Sequence, residues 1–416
     1  MASWRKFVFA VVSLMIAAAV FPAQAQEPIK VGLLLSHVGG TAIFARYEDK
    51  GARFAVEQVN KAGGINGRQI ELVAYDTEGK PDRAGSLFKR LAQDDKVVAV
   101  IGPDSIYVVL GMSAIPAQMK VLSVAAPGNL ELVAPDDRKY IVSAWGTSGY
   151  AASLVLAYFK DTLKVKRLGM ITTADSIGEI VANEITGIAK MVGIEMAQVV
   201  SQPASDRDLL PSLRKLATLS PRIDGMMVFG SGPFGNIAVN QTEMAGLNVP
   251  IGYVGGNVIP ELIKDVGPDT GKRTYLVTQR VTAAGSLPKD DPYYAGVQKF
   301  VTDYQARYNE PATLPTAVGY DMAMTVVDAL KAVGPDPEKI RDYVYTKQKN
   351  MVGVQGVTFN RTPAYAYGTD PMDNTVVNIE NGKFVFKSYL KDSFKRLGIT
   401  EETVRNQMRD FKLILE

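Results

Sequence analysis

Short apolar runs of strand length recur at Ile29–Leu35, Gln69–Tyr75, Val97–Ile101 and Val121–Val124, and between them the apolar residues return every three or four positions. This alternation predicts strands joined by crossing helices, and so a parallel sheet. The first helix shows the period best. Phe44, Tyr47, Gly51, Phe54, Ala55 and Val59 fall on one side, with Glu48, Lys50, Arg53 and Glu57 largely on the other. It ends at Lys61-Ala62-Gly63-Gly64, where glycine takes the left-handed conformation that closes a helix. A second series follows Trp145: a helix over Tyr150–Leu163, then strands Arg167–Thr172, Ile194–Val200, Gly225–Phe229 and Pro250–Val254. Two parallel-sheet units in tandem, an α/β fold, are the expectation.

The join between the units carries no flexible linker. Ile141-Val142-Ser143-Ala144-Trp145-Gly146 reads as a short strand-like crossing that suits a hinge. After a strand at Thr274–Thr278, helical spacing returns at Tyr293–Tyr308 and Ala317–Val333. Asn381-Gly382 between Thr375–Ile379 and Lys383–Phe386 is a hairpin turn, because both residues tolerate positive φ. The charged tail after Ser388 holds one short helix, with Thr400 as its cap and Glu401 and Glu402 in its first turn.

Composition narrows the function classes. The 416 residues fit two domains, and 46 Lys and Arg against 43 Asp and Glu leave a formal charge of +3, with no stretch basic enough to grip a nucleic acid. There is no cysteine and one histidine, which excludes thiolate metal sites, disulfides and paired-histidine metal sites. The amino terminus reads as a secretory signal: Arg5 and Lys6, an apolar run from Phe7 to Phe21, and Ala23 and Ala25 in the small-residue positions of a cleavage site. Cleavage after Ala25 would leave a soluble chain outside the cytoplasm, away from nucleotide cofactors.

No catalytic constellation emerges. Gly230-Ser231-Gly232-Pro233-Phe234-Gly235 is a literal GxGxxG, but a dinucleotide site also needs an acid at the end of the next strand, and Pro250–Val254 runs into Gly255-Gly256-Asn257. A ligand-lining loop is the better reading. His37 lacks a nucleophile motif beside it and reads as a partly exposed loop residue. Asp94-Asp95, Asp136-Asp137 and Asp290-Asp291 look like solvated turns. Two loops do suit binding. Gly102-Pro103-Asp104-Ser105 ends a strand and opens a helical segment, so amides near Ser105 and its hydroxyl would face a cleft. Ala125-Ala126-Pro127-Gly128 ends the next strand in residues small enough for close ligand approach. A carboxylate site and ordinary structural turns both remain open for this pair.

The order Ile29-Lys30-Val31-Gly32-Leu33-Leu34, then Gly51-Ala52, Asn60-Lys61-Ala62-Gly63-Gly64-Ile65-Asn66-Gly67-Arg68 and Glu71-Leu72-Val73-Ala74-Tyr75-Asp76, resembles the branched-chain amino-acid-binding proteins of ABC importers. Val100-Ile101-Gly102-Pro103, Ala125-Ala126-Pro127 and Gly319-Tyr320-Asp321 continue the resemblance over nearly the whole mature chain. It implies two doubly wound parallel-sheet lobes of type I periplasmic-binding topology, joined by three hinge crossings. Residues 26–146 and 280–356 would form one lobe, and 147–279 and 357–416 the other. The protein would be a periplasmic monomer without metal or cofactor, handing a small carboxylate-bearing solute to an inner-membrane ABC permease. A sensory receptor component of the same fold is the alternative.

Transferred by position, the resemblance places Ser105 and the Ala125-Ala126-Pro127 backbone at the ligand carboxylate, Phe44 as an aromatic lid and Tyr320 at the cleft edge. Ile177 and the 231–234 loop, with Phe234, would close from the second lobe. Core and cleft are both open for Phe44 and Tyr320, since each continues an apolar helix face. Amino-acid binders of this family place an acid after the strand matching Pro250–Val254 to meet the ligand ammonium, and Val254-Gly255-Gly256-Asn257 offers none. A buried ammonium without a counter-charge is costly. Of an amino acid and an organic acid lacking the amine, the second is therefore preferred as the ligand, an aromatic acid suiting Phe44, Trp145, Phe234 and Tyr253.

Overall fold

The computed structural model describes residues 26–128, 130–145, 149–230, 233–255 and 258–414; the signal-peptide reading of residues 1–25 lies outside them. The first sheet comprises β1 (Ile29–Leu35), β2 (Ile70–Asp76), β3 (Val100–Ile101), β4 (Ser123–Ala125) and β5 (Ile141–Ser143), in the order β2-β1-β3-β4-β5 with every pair parallel. Helices cover both faces, so β1 is apolar almost throughout, with Lys30 alone exposed. β3 and β4 are shorter than their apolar runs. The amides of Val97 and Val121 bond Leu91 O and Pro116 O of preceding helices, so pairing with a neighbouring strand starts later.

The second sheet holds β6 (Arg167–Thr173), β7 (Glu195–Gln202), β8 (Gly225–Phe229), β9 (Ile251–Val254) and β10 (Thr274–Thr278), extended by the hairpin of β13 (Thr375–Glu380) and β14 (Lys383–Tyr389). Its order is β14-β13-β10-β9-β8-β6-β7, antiparallel only where the hairpin joins β10 and closes on itself. Between β10 and β13 in sequence, β11 (Met351–Gly353) and β12 (Val357–Phe359) form a separate two-stranded hairpin that the apolar pattern did not announce. The tail forms two helices, Leu390–Leu397 and Glu401–Asp410, where one was expected; Thr400 does cap the second. Leu390, Phe394, Val404 and Met408 are buried in the second sheet's core. No helix among the described residues is long and apolar enough to cross a membrane.

The long helices Ala42–Lys61 and Leu314–Val333 cross beside the first sheet with backbones almost touching. A Cβ on Gly51 would lie 2.0 Å from Thr316 O, and one on Gly319 2.0 Å from Glu48 O. Only glycine permits this approach.

The chain passes between the lobes three times: after β5, after β10 and between β12 and β13. Buried side chains fasten these passages to one another. Gln355 Nε2 donates to Ala144 O at 2.9 Å, Gln279 Nε2 to Trp145 O at 2.9 Å, and Arg361 Nη2 to Ser143 O at 3.0 Å. Arg280, fully buried, donates to Gly356 O and Asp373 O and pairs with Asp291 at 2.7 Å and Asp373 at 2.9 Å. Asp291 therefore departs from the solvated turn expected of it: Asp290 is exposed, but Asp291 is buried because Arg280 supplies its counter-charge.

Candidate ligand-binding cleft

The carboxyl ends of β3 and β4 face those of β6, β8, β9 and β10 across a cavity of about 350 Å³, a volume suited to a small organic molecule. Phe44, Ile106, Trp145, Ile177, Phe229 and Leu314 supply its apolar wall. Phe44 and Trp145 meet edge to face, with ring centroids 6.3 Å apart. Trp145 sits on the first hinge passage, so this aromatic pair couples the wall of one lobe to the joint between them.

Polar residues line it as well, among them Thr41, Ser105, Thr173, Asp175, Gln279 and Asn374. Ser105 precedes the helix Ile106–Met112 in an extended conformation, makes no side-chain capping bond and lines the cavity. Asp175 is committed: it caps the helix Ser176–Val192 by accepting from Gly178 N at 2.8 Å. Two further acids line the same space. Glu48 is completely buried, and neither of its carboxylate oxygens has a hydrogen-bond partner among the described residues. Asp104 accepts from Ser36 N at 2.8 Å through Oδ1, while its Oδ2 has none. Burial pushes the Glu48 carboxyl well above the usual range, and the nearby charge of Asp104 adds to this. Burial also raises Asp104, against hydrogen bonds from Thr41 and Ser36. No Lys, Arg or His is among the described residues that line the cavity.

Of the residues singled out from sequence, Phe44, Ser105, Pro127 and Ile177 lie on the cavity wall. Four do not. Ala125 and Ala126 are buried behind it with backbone groups already spent: Ala125 O accepts from Ala144 N, Ala126 N donates to Pro103 O, and Ala126 O accepts from Ser143 Oγ. Phe234 is buried against Gly230, where a Cβ would meet its ring at 2.4 Å. Tyr320 belongs to an aromatic cluster with Phe54 and Phe300 and donates to Gln58 Oε1 at 2.7 Å. His37 is 42% exposed at its side chain, beside Asp49.

Gly235 of the GxGxxG segment is explained by packing, since its Cβ would fall 2.1 Å from Gly230 O; Ser231 and Gly232 lie outside the described residues. So do Gly256 and Asn257, where the amine-binding acid was sought. Acids do line the cavity elsewhere, on the wall that holds Glu48 and Asp104. Glu48 also sits on the buried face of its helix, with Ala45, Ala52 and Ala55, and not on the polar face assigned to it.

The profile of the periplasmic binding protein family matches residues 28–376. A leucine-, isoleucine-, valine-, threonine- and alanine-binding protein of Pseudomonas aeruginosa is 23% identical over 328 residues, covering 76% of this chain and 82% of that protein. Among solved structures, a branched-chain amino acid transporter substrate-binding protein of Streptococcus pneumoniae, in complex with isoleucine, superposes with a TM-score of 0.71 at 24% identity, covering 86% of this chain and 99% of that one. A solute-binding protein of an ABC transporter from Rhodopseudomonas palustris, in complex with 3,4-dihydroxybenzoic acid, gives 0.69 at 18% identity, covering 87% and 96%. These similar proteins are binding proteins and not enzymes. With the matched span reaching from β1 into β13, the chain belongs to the periplasmic binding protein family.

Proposed function

We propose that this protein is the substrate-binding component of an ABC importer, capturing a small carboxylate-bearing solute between its two lobes and presenting it to a permease in the inner membrane. It acts as an exported monomer whose signal peptide is cut after Ala25. Residues 26–146 with 280–356 form one jaw and 147–279 with 357–416 the other. The observation that carries this reading is the cavity of about 350 Å³ between the carboxyl ends of two sheets whose only covalent links are three adjoining hinge passages. Such a joint lets the jaws close on a ligand and release it. The apolar wall of Phe44, Trp145, Ile177 and Phe229 suits a branched or aromatic body, and the hydroxyl of Ser105 suits the carboxylate. Relatives that bind branched-chain amino acids or an aromatic acid support both ligand classes.

The test is a thermal-shift screen of amino acids and of aromatic and aliphatic carboxylates, followed by titration calorimetry. A solute present at 100 times its Kd stabilises the folded form by about 2.7 kcal/mol, a shift of several degrees. The proposal expects at least one carboxylate to bind at one per chain. Failure of every carboxylate in the panel to shift the melting temperature contradicts it.

A further inference from the structure

We infer that Glu48 and Asp104 form a subsite for the positively charged ammonium group of the ligand, so that the captured solute is an amine-bearing carboxylate and not a deaminated acid. This rests on the reading of the cleft as a solute site and deepens it. Both side chains line the cavity; Glu48 is fully buried and Asp104 is 7% exposed. Glu48 Oε1, Glu48 Oε2 and Asp104 Oδ2 have no hydrogen-bond partner among the described residues. A buried carboxylate without a partner is costly, and a fold tolerates it where a ligand completes it. No cationic side chain among the described lining residues does so. The pair lies beside the first sheet, whereas amino-acid binders of this family are expected to place their acid on the second lobe.

Proton linkage follows from the surroundings of Glu48. On its own helix, Asp49 faces His37 and Arg53, and Lys50 pairs with Glu310. Asp321 of the crossing helix accepts the amides of Val354 and Gln355, and Asp175 across the cleft caps its helix. Asp104 is thus the charge that acts on Glu48. Both carboxyls hold their protons more tightly than usual in the empty cleft. An arriving ammonium favours their ionised forms, so binding releases protons and tightens as pH rises through the range in which the empty site titrates.

The experiment is calorimetric titration with the tightest-binding member of the twenty amino acids and with its deaminated analogue, in two buffers of different ionisation enthalpy, on the wild type and on the Glu48→Gln and Asp104→Asn variants. The expected results are an analogue weaker by on the order of 100-fold, a buffer-dependent heat that reports proton release, and loss of both on Glu48→Gln. Unliganded Glu48→Gln should melt no lower than the wild type, because no protein partner is lost, which separates a ligand-binding role from a structural one. An analogue that binds as tightly as its amine overturns this inference and leaves the solute-binding reading standing. Should neither class bind, that reading fails as well. A Glu48→Gln variant that keeps the discrimination, with Asp104→Asn doing the same, also overturns the subsite.

Discussion

Ser105 stands where strand β3 gives way to a helix, nearly buried and with a hydroxyl that caps nothing. If that hydroxyl meets the ligand carboxylate, Ser105→Ala weakens solute binding by about 1–3 kcal/mol while the melting temperature of the empty protein holds, because no internal bond is broken. Calorimetry on the variant reads both, and an unchanged Kd would move the anchor to another donor. The same scale shows how far single residues were legible. Phe44 and Ile177, set at the cleft by the family resemblance, line the cavity. Tyr320 and Phe234 are equally aromatic and equally close to the cleft in sequence terms, yet the first is held by Phe300 and Gln58 and the second by Gly230. What decided the difference was a packing partner, and for Tyr320 one of those partners lies more than 200 residues away in sequence.

Among the elements, the crossing of helices Ala42–Lys61 and Leu314–Val333 does most to shape the site. Because Gly319 lies against the backbone of Glu48, the crossing sets how deep that carboxylate sits. Gly319→Ala must part the helices, at a cost of about 1–3 kcal/mol in unfolding free energy, and it shifts Glu48 with them. A lowered urea midpoint together with weaker solute binding is the expected pair of results; an unchanged midpoint would mean the crossing is looser than described. The helix itself was legible from its apolar period. Its acid was not, although a stripe of Ala45, Glu48, Ala52 and Ala55 does recur at helical spacing, and a charged residue inside such a stripe is the signal that was passed over. Most strands followed the apolar runs, β3 and β4 being shorter than theirs, while β11 and β12, three residues each, were too short to carry a pattern of their own.

At the scale of the whole molecule, two parallel-sheet units in tandem and a linker-free joint follow from the alternation of strand and helix and from the segment around Trp145. The fastening of that joint does not, because Gln355 and Ala144, or Arg361 and Ser143, stand more than 200 residues apart. Arg280 is the centre of this fastening. Arg280→Met leaves the buried Asp291 without its counter-charge and Asp373 with Lys391 alone, and should cost about 3–5 kcal/mol of stability, seen as a large fall in the melting temperature. A small fall would show that the buried acids find other partners.

The hinge matters only if something is held between the halves it joins, and a crystal structure of the protein with the tightest solute from the screen tests this most directly. The account predicts an unaltered solute between Phe44 and Trp145 on one side and Ile177 and Phe229 on the other, its carboxylate within hydrogen-bond distance of Ser105. Density for the solute in the second cavity, walled by Thr362, Asp370 and Arg405 beside the carboxyl-terminal helix, or a solute chemically changed in the cleft, would contradict it.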